Sequence, residues 1–299
     1  MENDTIKKEN PLLIPAAIIL AAIMISGAWV YNSRYSKNDT SGITKDSVTS
    51  AETDLFSGSI ALPAVWGNLG LELVRAGVID GERFKELYEQ RGQFTEELGR
   101  MMSGEENGQI VITQENAEYL LNLFWALGLA NKNPILETGE MMTATGGDAS
   151  GFASTGGWTM ATGNVMDHYS MHRFFDLTPE QQEMVETMSR GIFRPCCGNS
   201  AHFPDCNHGM AMLGLLELMA SQGATEEYMW DAALAVNTYW FPDTYQTIAR
   251  YMGSKGVAWE SVPPSEILSE RFSSGAGFAN VKAQITQPQQ QRGGGGCSV

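Results

Sequence analysis

The residues best suited to chemistry are gathered in one stretch, RPCCGNSAHFPDCNHGMAM, from Arg194 to Met212. It holds three of the four cysteines and two of the four histidines. Cys196 and Cys197 are adjacent, Cys206 follows nine residues on, and His208 stands two beyond it. Four soft or borderline donors in one short loop match what zinc or copper(I) selects. Adjacent thiolates tend to diverge. The spacing therefore predicts one of the vicinal pair with Cys206 and His208 as donors, and the second thiol close by. The same cysteines also suit a disulfide or redox pair, and inert thiols are a third alternative. Cys206 precedes an apolar helix, whose first N–H groups and dipole favour a thiolate.

Further donors lie nearby or elsewhere. His202, inside the loop, could take the place of His208. His168 and His172, in DHYSMH, are four apart. On a helix they would share one face and could share an ion; ordinary packing or surface histidines are the alternative. The Glu of H-E-x-x-H is missing, which argues against a metalloprotease. Asp167 and Asp205 could accept from imidazoles and orient them. Met210 and Met212 carry thioethers suited to copper(I), but they open an apolar helix and read as core. Cys297, three residues from the end on a Gln- and Gly-rich tail, could lend a further thiolate or cross-link two chains into a homodimer.

The loop resembles the envelope proteins named for a Pro-Cys-Tyr-Cys-Gly-Cys motif. Pro195, Cys196, Cys197 and Gly198 match its first part, and Asp205 with Cys206 matches the Asp-Cys that follows. No tyrosine separates the thiols here, and Asn199 stands where the third cysteine would be. The resemblance implies an extracytoplasmic thiol or metal site.

The elements that must position this loop begin after a distinct N-terminal part. Residues 1–10 read as a cytoplasmic arm. Residues 11–31 (PLLIPAAIILAAIMISGAWVY) carry no charge and have the length a bilayer core requires. They resemble the anchors of membrane-tethered, thioredoxin-like envelope proteins of bacteria. A single-pass anchor in the cell membrane follows, with the body outside the cytoplasm. Residues 32–54, rich in Ser, Thr, Lys, Asn and Asp, read as a polar linker. Residues 55–282 form the helical domain and 283–299 a flexible tail.

Within the body, apolar spacing predicts helices over Leu62–Ile79, over the charged segment 81–102 behind an Asp80 cap, and over Gln114–Leu129. Gln109–Thr113 is a short strand. Residues 131–163 are glycine-rich and poor in regular signals. Asn164 could cap a helix through Leu177. Thr178-Pro179-Glu180-Gln181 is a capping box opening Pro179–Phe193. Gly209–Ser221, Glu226–Trp240, Asp243–Met252 and Pro264–Phe272 complete a mainly α domain with one or two minor strands.

Composition limits the function. With 35 acidic and 19 basic side chains, a net charge of −16 repels phosphate backbones and argues against nucleic acid. Four cysteines in 299 residues do not make a disulfide-built scaffold. No C-x-x-C or βαβ pattern supports a thioredoxin-like enzyme. Binding of zinc or copper(I) at Cys196, Cys197, Cys206 and His208 fits best. The alternatives are a thiol–disulfide protein using the same cysteines, or an interaction domain with a stapled loop.

Overall fold

The strand β1 (Ile60–Gly67) is where the sequence pattern first gives way. Its residues IALPAVWG lie in a stretch whose spacing predicts a helix. Yet Leu62, Ala64 and Trp66 alternate inward and are buried, a period of two that suits a strand. Pro63 has no N–H to donate, and the pairing register shifts between Ala61 and Val65 around it. Gly67, at φ 57°, turns the chain into the short helix α1 (Leu69–Arg75). The computed structural model describes residues 58–286. The arm, the apolar run 11–31, the linker and Cys297 lie outside the described residues. No helix among those described is long and apolar enough to cross a membrane.

Asp80 caps α2 (Gly81–Gln90) by accepting from the Arg83 N–H. The charged segment is then broken at Gly92, φ 67°, and Thr95 caps a separate helix, α3 (Glu96–Ser103). β2 (Asn107–Ile112) returns antiparallel to β1, from Ile60 opposite Ile112 to Gly67 opposite Asn107. On the outer edge of β1, Val65 donates its N–H to Gln222 Oε1 (2.7 Å) and accepts from Gln222 Nε2 (2.8 Å).

Thr113 and Asn116 accept from each other's backbone N–H groups, which delays the next helix to α4 (Ala117–Ala130). It is followed by α5 (Pro134–Thr138) and α6 (Glu140–Thr145), two short helices within the glycine-rich stretch. The rest of that stretch is irregular but packed. Trp158 is buried, donates to Val78 O (2.8 Å) and meets Trp125 edge-on.

The segment 164–177 is not a helix. Asn164 caps a single 3-10 turn, Val165–Asp167, and the chain then turns at Ser170, φ 54°. Then come α7 (Pro179–Gly191), with both bonds of the capping box formed, and α8 (Asn207–Ser221). α9 (Glu226–Trp240) and α10 (Pro242–Ser254) are separated by a break at Phe241, with Pro242 opening the second. α11 (Pro264–Ile267), α12 (Glu270–Ser273) and α13 (Gly275–Thr286) finish the described chain.

α4 and α8 form the centre. Both are apolar on nearly every face, so both must be surrounded. They cross at Gly128 and Gly214. A Cβ on Gly128 would overlap the Met210 carbonyl, and one on Gly214 would overlap the Phe124 carbonyl. The two backbones therefore touch where side chains would hold them apart. One acid is buried here. Glu217 of α8 is fully enclosed, with Oε2 accepting from Asn131 Nδ2 (2.8 Å) and Oε1 unpartnered. Burial pushes its pKa up to about 8, against the pull of hydrogen bonds from Asn131 and Asn133.

Candidate metal centre

Three structural devices shape the cysteine loop. Phe193 and Ser200 pair across its neck, with Ala201 N–H on Ile192 O (2.8 Å). Gly275, at the start of α13, donates to Cys197 O (2.8 Å) and ties the tip down. On its other side Ser154 of the glycine-rich stretch donates to Asp205 O (3.2 Å), and Phe152 meets Phe203 edge-on. The glycine-rich segment is therefore part of the wall behind the site.

Cys206 is the N-cap of α8, and its Sγ accepts from the Gly209 N–H at 3.4 Å. This is the position where a thiolate relieves the unpaired donors of a helix start. A second donor comes from Arg194, whose Nε lies 3.3 Å from the same sulfur. Arg194 is only 1% exposed and uses its remaining nitrogens on the loop itself. It donates to Asn199 O (2.8 Å), Phe203 O (3.2 Å) and Asp205 Oδ1 (2.7 Å). Asn199 Nδ2 holds the other oxygen of Asp205 at 2.8 Å. The guanidinium lies against Gly209, where a Cβ would overlap it.

Cys196 Sγ is 3.6 Å from Cys206 Sγ and 3.9 Å from His208 Nδ1. The donor atoms of Cys196, Cys206 and His208 all lie within 4.8 Å of one another, and so do those of Cys197, Asp205 and Cys206. Cys206 belongs to both groups. Such a cluster could hold a metal ion. In this division Cys196 joins Cys206 and His208, and Cys197 joins Asp205 and Cys206. His208 is half-buried, its ring packed on Phe241 (4.4 Å between centroids) and Trp240 (5.7 Å) at the break between α9 and α10. That packing fixes the imidazole without a carboxylate.

The electrostatics favour one thiolate. Hydrogen bonds from the Cys196 and Cys197 thiols hold the Cys206 pKa far below its usual value, helped by His208 and the Arg194 charge and opposed by burial. The Cys196 pKa is raised, by its bonds to Cys197 and Cys206 and by burial. Burial would lower the Arg194 pKa, but the charges of Cys206, Cys197 and Asp205 carry it upward. The metal-free loop thus keeps an ion pair, Cys206 thiolate with Arg194, and holds a proton on Cys196.

The other sequence candidates fall elsewhere. His202 is buried, with Nδ1 3.4 Å from Glu140 Oε1, and is not in the cluster. His168 and His172 do meet, through a turn rather than a helix, at 3.1 Å between Nδ1 and Nε2. His168 Nε2 faces Thr162 O at 3.1 Å, which fixes that nitrogen as the donor and makes His172 the donor to His168 Nδ1. Among the described residues no third metal donor joins the pair. Asp167 is exposed at the end of the 3-10 turn. Asp205 orients Arg194, not an imidazole. Met210 and Met212 are buried in α8 as core. Arg194 itself is the residue that sequence reasoning missed. Its only signal was a cation directly before Pro-Cys-Cys in an acidic chain. No protein-family model, curated protein or solved structure matches the chain.

Proposed function

We propose that the protein binds one zinc ion through Cys196, Cys206 and His208, with Cys197 as the fourth donor. The observation that carries this is the 3.6 Å separation of the Cys196 and Cys206 sulfurs with His208 Nδ1 3.9 Å away. Two thiolates on a tetrahedral zinc, each about 2.3 Å from it, lie about 3.8 Å apart. The sulfurs are therefore already spaced as an edge of that tetrahedron. Charge favours zinc over copper(I). Three thiolates leave a doubly charged ion with one net negative charge and a singly charged ion with two. The single cation at hand, Arg194, is already shared with Asp205. The test is metal content of the purified chain with zinc and copper(I) offered in competition. One bound zinc, lost in Cys206→Ala and less affected in Cys197→Ala, is expected. Equal metal content in wild type and Cys206→Ala would reject the site.

We further infer that residues 11–31 anchor the protein in a membrane with the body outside the cytoplasm. The uncharged run, of the length a bilayer core requires, supports this. Protease added to intact cells should remove the body; full protection until lysis would reverse the orientation.

A further inference from the structure

We propose that Cys196 is a site of oxidation by hydrogen peroxide, and that its disulfide with Cys206 discharges the zinc; this rests on the metal site argued above. Cys196 is exposed, whereas Cys197 and Cys206 are partly covered. A peroxide arriving from solvent meets Cys196 first. The Cys196 thiolate attacks one peroxide oxygen, an S–O bond forms, the O–O bond breaks and hydroxide leaves. Cys206 then attacks the Cys196 sulfur of that sulfenic acid, the S–S bond forms, the S–O bond breaks and a second hydroxide leaves. Two protons from solvent convert both hydroxides to water. The peroxide gains two electrons and the two thiolates lose them.

Geometry selects Cys206 as the resolving partner. A disulfide needs sulfurs about 2.05 Å apart, so the 3.6 Å gap must close by about 1.5 Å. Cys206 is held by Arg194 and the Gly209 N–H, so the movement falls to the exposed Cys196 side chain on its irregular backbone. Cys197 is nearer in sequence but poorly placed. Consecutive Cα atoms are about 3.8 Å apart, short of the roughly 4.4–6.8 Å that disulfides span. Its Sγ is also turned towards Asn199 O and Asp205 Oδ1, 3.9 Å from each. Closing the Cys196–Cys206 bond removes two thiolate charges from the ion at once. His208 and Cys197 alone do not make a closed zinc site.

The full chain loaded with one equivalent of zinc is titrated with hydrogen peroxide. A chromophoric chelator reads released zinc, a thiol reagent counts cysteines, and peptide mass mapping finds the link. Zinc release in step with the loss of two thiols is expected, with a Cys196–Cys206 link and re-uptake of zinc after reduction. Cys197→Ser should keep the link. Zinc that stays bound under peroxide, or a link that joins other cysteines, overturns the proposal while leaving the zinc site intact. A chain that takes up no zinc overturns both.

Discussion

Arg194 touches Cys206, Asn199, Phe203 and Asp205 at once, which makes it the residue on which the loop's shape depends. Lysine cannot replace it. A single ammonium lacks the flat fork that reaches a sulfur, two carbonyls and a carboxylate together. Arg194→Lys should cost about 2–3 kcal/mol of stability, as hydrogen bonds to charged groups are lost, and should weaken zinc binding in a competition titration. Unchanged stability and affinity would show that the guanidinium contacts are idle. Glu217 offers a cleaner reading by pH. Folded, it keeps its proton up to about pH 8; unfolded, it releases it near 4.5. Between those values Glu217 holds its proton in the folded chain and not in the unfolded chain, so its contribution to stability falls as pH rises through that window. At about 1.4 kcal/mol per unit the loss is on the order of 3–5 kcal/mol. Cys206, a thiolate when folded and a thiol when unfolded, works in the opposite sense over the same range, so the test is a difference: from pH 5 to pH 8 metal-free wild type should lose stability relative to Glu217→Gln. An equal slope in the variant would place the titrating group elsewhere.

At the scale of elements, the crossing of α4 and α8 sets where Cys206 and His208 stand. A methyl group at Gly214 forces the helices apart, and the strain should cost about 1–3 kcal/mol or more. Gly214→Ala should therefore lower the melting temperature and zinc affinity together, since α8 carries two of the donors. Gly253 of α10 has open space around it, and Gly253→Ala should instead stabilise by about 0.5–1 kcal/mol. Matching effects at the two positions would mean that the close approach is unimportant. These glycines also show what a sequence conceals. Caps were legible, at Asp80 and Thr178, because each is a local bond between neighbours. So were the all-round apolar helices and a cysteine cluster with His208 that could hold a metal, though not which of Cys196 and Cys197 joins Cys206 and His208. The strand at Leu62–Trp66 was not, because its inward residues fit either period until β2 pairs with it. Nor was the turn at Ser170, whose N–H is held by Leu129 O and whose hydroxyl accepts from the Asn133 N–H, both far back in the chain. The depth of Arg194 depends on Gly209, fifteen residues away, and no local pattern announces it.

Across the whole molecule the site joins the 194–208 loop, the start of α8, the break between α9 and α10, and the start of α13, while the rest of α8 is held by its packing on α4. Chelation of zinc should consequently leave the helical circular dichroism signal at 25 °C intact. It should lower the melting temperature on the order of 10 °C, if the ion was present at about a thousandfold over its dissociation constant. Collapse of the helical signal on chelation would mean that the ion holds the core as well. The acidic surface, net −16, should also concentrate divalent cations around the loop, an effect that fades with added salt. The Gln222 clasp on Val65 matters at this scale too. Among the described residues β1 has one strand partner, and Val65, 46% exposed, turns its backbone N–H and C=O away from it. Open edges of this kind are where separate chains recruit one another into shared sheets. The Gln222 amide imitates the backbone of a neighbouring strand and fills both positions, so a crowded array of these molecules finds no start for a sheet at this point of the edge. Gln222→Ala would leave each body folded and give the population a seam.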